Sequence, residues 1–173
     1  MRERILLATE NRWFRLVLVA LPVLGLQTTI LNDMRPFGVS LQVMLLLAAA
    51  SGLARGSEIG AIAGFVVGLL HDLVLTTPLG LGAAVFGLVG YLAGYANSFV
   101  HAPTWWTRMI MGAVASAAGM VLLPLALEVT GTEGALTTQV LVIALTVAAF
   151  NAVAILPAHW VCRWALREQA AVR

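Results

Sequence analysis

The sequence predicts an all-α polytopic membrane protein, a bundle of six transmembrane helices with both termini cytoplasmic. Three observations predict it: an apolar composition, six separated apolar runs, and a one-sided arrangement of the arginines. The chain of 173 residues is 61% hydrophobic and 10% charged, with a mean hydropathy of +0.95, whereas about a quarter of the residues of a soluble domain are charged. The bilayer is therefore its solvent. In lipid only helices or closed barrels satisfy their own backbones, and these runs are too long and too uniform for barrel strands. A helix crosses a hydrocarbon core about 30 Å thick in about 20 residues. Six such spans use up the chain, so residues 1–173 read as a single integral membrane domain with no extramembrane catalytic domain.

The expected spans are 16–31, 39–54, 59–75, 81–100, 109–127 and 138–162. The first follows Arg2, Arg4, Arg12 and Arg15, and no small-x-small cleavage site precedes Asn32, so it reads as a retained signal anchor. The second and third are separated only by Arg55, Gly56, Ser57 and Glu58, but together they are far too long for one span, which makes them a helical hairpin. Thr76-Thr77-Pro78-Leu79-Gly80 introduces the fourth span. Residues 101–108 introduce the fifth and residues 128–137 the sixth. Connectors this short make neighbouring spans antiparallel.

All ten positive side chains are arginine. With six alternating spans, Arg2, Arg4, Arg12, Arg15, Arg55, Arg108, Arg163, Arg167 and Arg173 fall on the side of the termini, and Arg35 stands alone opposite. By the positive-inside rule the termini are cytoplasmic. Trp13, Trp105, Trp106, Trp160 and Trp164 lie at the same span ends, where an aromatic belt belongs. The outer connectors carry Asp33, Glu128 and Glu133, and nothing marks a surface for nucleic acid.

Glycines recur at every fourth position from Gly52 through Gly56, Gly60, Gly64 and Gly68. Each four-residue step overshoots a full helical turn by about 40°, so they form a slowly winding ridge. The fourth span continues with Ala83, Gly87, Gly90 and Gly94, and the fifth with Gly112, Ser116 and Gly119. Small-residue faces let helix backbones approach closely in lipid. They serve either the chain's own packing or the helix of a second protein, and on the second reading Gly64→Leu and Gly90→Leu weaken partner binding while the chain still folds.

His71 and Asp72 are the most conspicuous polar pair inside a span. Asp72 extends the glycine ridge and lies in a last helical turn, where the macrodipole disfavours negative charge. It needs a partner: Arg35, the only arginine on that side, or a charged His71. Alternatively it caps the turn at 76–78. Gln27, Gln42 and Asn151 read as interhelical hydrogen-bonding groups, and Pro22, Pro124 and Pro157 as tolerated kinks. Cys162 is the lone cysteine, His71 and Asp72 are too few for a metal site, and no nucleophile–base set or phosphate loop is present. Neither a catalytic residue, a metal nor a cofactor is expected.

Arg55-Gly56, Gly60-Ala61, Gly64-Phe65, Gly68-Leu69-Leu70, Asp72, then Pro78-Leu79-Gly80, and Leu88-Val89-Gly90-Tyr91-Leu92 with Gly94 together resemble the core of the rod shape-determining MreD family. The resemblance covers residues 55–94. It implies a non-catalytic scaffold in the bacterial inner membrane, part of the elongation machinery that directs peptidoglycan synthesis and cell shape. The implied partners are an MreC-like bitopic protein and, directly or through it, MreB filaments and the synthase pair of RodA and its penicillin-binding partner. A small-residue face of the third or fourth span would then receive the partner helix. The family is also distantly similar to the substrate-binding membrane subunits of vitamin-type transporters, for which His71, Asp72, Arg35 and residues 128–137 would surround a ligand. A handler of lipid-linked precursors is a third reading.

Overall fold

A computed structural model describes residues 11–33, 39–74, 78–132, 134 and 139–168. These form six helices and no strand: α1 (Arg12–Asp33), α2 (Val43–Arg55), α3 (Ser57–Asp72), α4 (Leu81–Ser98), α5 (Trp105–Val129) and α6 (Gln139–Ala165). Three of them, α1 over Arg12–Leu31, α5 and α6, are long and apolar enough to cross a membrane. The 13 residues of α2 rise only about 20 Å and the 16 of α3 about 24 Å, short of a hydrocarbon core about 30 Å thick.

The helix ends depart from the apolar runs because local hydrogen bonding, not hydropathy, sets them. α1 starts at Arg12 and not at 16, since the Asn11 side chain accepts the Trp13 N–H at 2.9 Å as an N-cap. α5 starts at Trp105 and not at 109, just after Pro103 and an extended Thr104. α2 starts at Val43 and not at 39; its Met44 N–H is taken by the Gln27 side chain of α1 at 2.8 Å. The hairpin break between α2 and α3 is a single residue. Gly56 closes one helix and opens the next with φ +89°, a backbone region open to glycine and costly for other residues.

α2 is the hub. Every residue from Met44 to Leu53 is buried, the expected state of a helix apolar on all sides. It meets α3 and α4 through Gly52, α5 where Leu45 covers Gly119, and α6 where the Cys162 thiol lies 3.7 Å from the Leu47 carbonyl. The small face of α5 is spent on α6 as well: Gly112 abuts Ile155, and the Asn151 amide donates to Ser116 Oγ at 2.9 Å, with both residues fully buried. Outward faces carry exposed apolar side chains such as Leu18, Leu21, Val114, Leu141 and Leu145, which suits contact with lipid.

Candidate functional site

The glycine ridge of α3 faces the glycine ridge of α4. A Cβ placed on Gly60 would lie 2.5 Å from Gly90 O and from Gly52 Cα; on Gly64, 2.3 Å from Phe86 O; on Gly68, 2.6 Å from Ala83 Cα. Reciprocally, a Cβ on Gly90 would lie 2.2 Å from Gly60 O, and on Gly94, 2.4 Å from Gly56 C. Gly52 of α2 enters the same seam, where its Cβ would meet Gly90 O at 2.0 Å. All of these neighbours are backbone. The seam is thus packed main chain to main chain, and a helix from another protein finds no room in it. Gly87 is looser, with 3.2 Å from an added Cβ to Ala61 O, and a Cβ on Gly56 would meet nothing within 4 Å, so Gly56 matters through its turn.

The polar pair at the far end of α3 splits into two roles. Asp72, 3% exposed, turns Oδ2 onto the start of α4, accepting from Gly80 N at 2.9 Å and Ala83 N at 3.1 Å. Gly80 has φ +97° and no side chain to cap with, so the acid of the preceding helix supplies the cap. Negative charge is favoured at a helix start, which explains how Asp72 tolerates the unfavourable end of its own helix. Pairing with a charged His71 is not made: neither ring nitrogen of His71 has a hydrogen-bond partner among the described residues. Its ring packs on Phe86, centroids 5.1 Å apart. Arg35, the other expected partner of Asp72, lies outside the described residues, as do residues 76 and 77 of the turn.

Residues that sequence reasoning passed over complete this end. Gly82 is required because a Cβ there would sit 2.1 Å from Asp72 Oδ1. Its place two residues after Gly80 is a readable signal only once Asp72 is known to approach. His71 also borders a cavity of about 310 Å3, shared with Leu24, Gln27, Thr28, Ser40 and Gln42. Gln27 and Gln42 contact each other there at 3.5 Å.

The family model for the rod shape-determining protein MreD matches residues 9–156. The chain belongs to the MreD family. The match extends well beyond the 55–94 segment that carries the resemblance and takes in five helices and much of the sixth. No curated protein and no solved structure matches the chain. MreD is a membrane protein family with a role in determining rod shape, and the apolar helices of this chain fit it. In this MreD chain Gly60, Gly64, Gly68, Gly90 and Gly94 of the motif meet in the α3–α4 seam and Asp72 with Gly80 forms the cap, both internal to the chain, whereas Phe65, Leu88, Tyr91 and Leu92 are exposed.

Proposed function

We propose that this chain is a non-catalytic scaffold subunit of the rod complex, held in the bacterial inner membrane by six spans with both termini cytoplasmic. Its task is to seat the transmembrane helix of an MreC-like protein, and through it to connect MreB filaments with RodA and its penicillin-binding partner. The family match carries this reading. The short α2 counts as a span because it is enclosed by neighbouring helices, and α3 because one face packs on α2 and α4 while Ile62 and Phe65 face outward as a lipid-facing helix requires. Orientation follows from the arginines. Arg12 pairs with Glu168 at 2.5 Å and Arg55 donates to Arg163 O at 2.8 Å, so the starts and ends of α1, α2 and α6 that carry arginine gather at one end of the molecule. A reporter enzyme that folds only outside the cytoplasm is expected to be active when fused after Gly131 and silent when fused after Pro103. The reverse pattern refutes the orientation.

With the seam closed, the partner helix needs another face. Between α4 and α5 runs an apolar furrow of about 370 Å3 lined by the small residues Ala93, Ala96, Ala115 and Ala118 together with Tyr95 and Val114. Small residues lining a furrow allow the close helix approach that drives association in lipid. Affinity purification from mild detergent is expected to recover a bitopic MreC-like protein with the wild type, and about tenfold less with Ala96→Phe or Ala118→Phe. Leu145→Phe on the outward face of α6 is the control. Undiminished recovery with both furrow variants rejects the furrow.

One observation favours a second reading, a small-molecule transporter subunit: the cavity beside His71 brings the amides of Gln27 and Gln42 and the hydroxyls of Thr28 and Ser40 together with Leu24, Leu41 and Val74. The same purification decides it, since a co-eluting ATPase module or a bound vitamin-type molecule supports the transporter reading over the scaffold.

A further inference from the structure

Five arginines from three separate parts of the chain meet at one end of the bundle, and only part of their charge is used. Arg15 is buried, donates to Arg167 O and stacks over Trp164, 5.8 Å from the ring centre. Arg55 donates to Arg163 O at 2.8 Å. Both therefore cap the carbonyl end of α6, where cations belong. Arg12 takes Glu168 at 2.5 Å. The side chains of Arg163 and Arg167 are left exposed. Together with Arg55, Trp160 and Trp164 they line a cleft of about 440 Å3. The cleft brings the like charges of Arg55, Arg163 and Arg167 together, and the Arg55 Nε is buried without a hydrogen-bond partner among the described residues.

We propose that this cleft binds the phosphodiester headgroup of an anionic phospholipid. Guanidinium forks match phosphate oxygens two at a time, and basic pockets between helices at a membrane face take such headgroups. The path for the acyl chains distinguishes a lipid from a soluble phosphate. Val142, Val153, Trp160 and Trp164 are all exposed, and at 100° per residue they fall within about 40° of one another along α6. This apolar stripe runs down the helix and ends at the arginines. Trp160 and Trp164 then stand where the chains meet the headgroup, the depth that indole rings prefer.

The test uses the delipidated full-length protein in detergent, with retained lipid counted by native mass spectrometry. Phosphatidylglycerol is expected to be retained about tenfold better than phosphatidylcholine, a difference of about 1.4 kcal/mol. Arg163→Gln with Arg167→Gln abolishes the preference, and Arg108→Gln, at the same end but outside the cleft, keeps it. Arg163 and Arg167 are exposed, so the double variant is expected to remain monodisperse, and Arg163→Lys with Arg167→Lys retains the charge as a second comparison that keeps part of the preference. Equal retention of the two lipids by the wild type overturns the proposal whatever the variants do. A preference unchanged in the glutamine variant overturns the site. Full displacement of phosphatidylglycerol by inorganic phosphate overturns the lipid assignment in favour of a soluble phosphate. Binding of an acidic peptide with no lipid preference overturns it in favour of a protein partner.

Discussion

Gly90→Ala is expected to be, with Gly52→Ala, among the most damaging single-methyl substitutions at the described residues. The added carbon would lie 2.2 Å from Gly60 O, 2.8 Å from Gly60 C and 3.2 Å from Ala48 O, all main-chain atoms of buried helices. A flexible side chain could rotate away; a helix backbone cannot. The whole of α4 must lift off α3 and α2, giving up dispersion contacts along the seam. Overpacking of this kind costs about 3 kcal/mol, enough to remove most folded protein from a marginally stable bundle. Thermal unfolding of detergent-purified protein, read by size-exclusion monodispersity, should rank Gly90→Ala well below Gly87→Ala, whose Cβ has 3.2 Å to Ala61 O. Gly25→Ala belongs at or above wild type. A Cβ at Gly25 meets nothing within 4 Å, and alanine improves helix propensity by about 1 kcal/mol. If Gly90→Ala is as stable as Gly25→Ala, the seam is not packed as described. The same geometry changes how Gly64→Leu and Gly90→Leu must be read: loss of a partner in these variants reports loss of the fold.

Asp72→Ala is expected to lower stability by about 2 kcal/mol, because it leaves the Gly80 and Ala83 amides at the start of α4 without their acceptor. Asp72→Asn keeps an oxygen that can reach the same amides, so about half of that loss is expected. Gly82→Ala should resemble Asp72→Ala, since its new carbon would occupy the space of Asp72 Oδ1 at 2.1 Å. Combining Gly82→Ala with Asp72→Ala is expected to cost little more than either alone, the mark of two residues serving one contact. Urea or heat unfolding of the three variants checks the order. Wild-type stability in Asp72→Ala combined with loss of rod shape in cells would falsify the cap and return Asp72 to a functional site.

Much of the organisation is legible because lipid imposes it. Six apolar runs correspond to six helices, since a chain without access to water must close its hydrogen bonds locally. The break at Gly56 is legible for a similar reason: a glycine between two runs is where a sharp reversal is cheap. The helix ends were less legible. Asn11 draws α1 outward beyond its apolar run and Gln27 holds the start of α2, and neither contact leaves a trace in hydropathy. The small-residue period at Gly60, Gly64 and Gly68 was legible as a close-packing face, but a period carries no address. It specifies that a backbone will come near and not whose backbone it will be.

By itself, then, the sequence determined that the chain suits a membrane, the number and type of elements among the described residues, and which faces must pack closely. These depend on composition and on spacing along one helix, which are properties of the chain read locally. Only the tertiary structure decided that α2 is the buried hub, that the α3 and α4 ridges close on each other, that Asp72 caps α4, and that Arg55 meets Arg163 and Arg167 across more than a hundred residues. These are relations between distant segments. They are set by which faces fit at backbone distance and which charges find partners, and a one-dimensional pattern cannot choose among faces of the same kind.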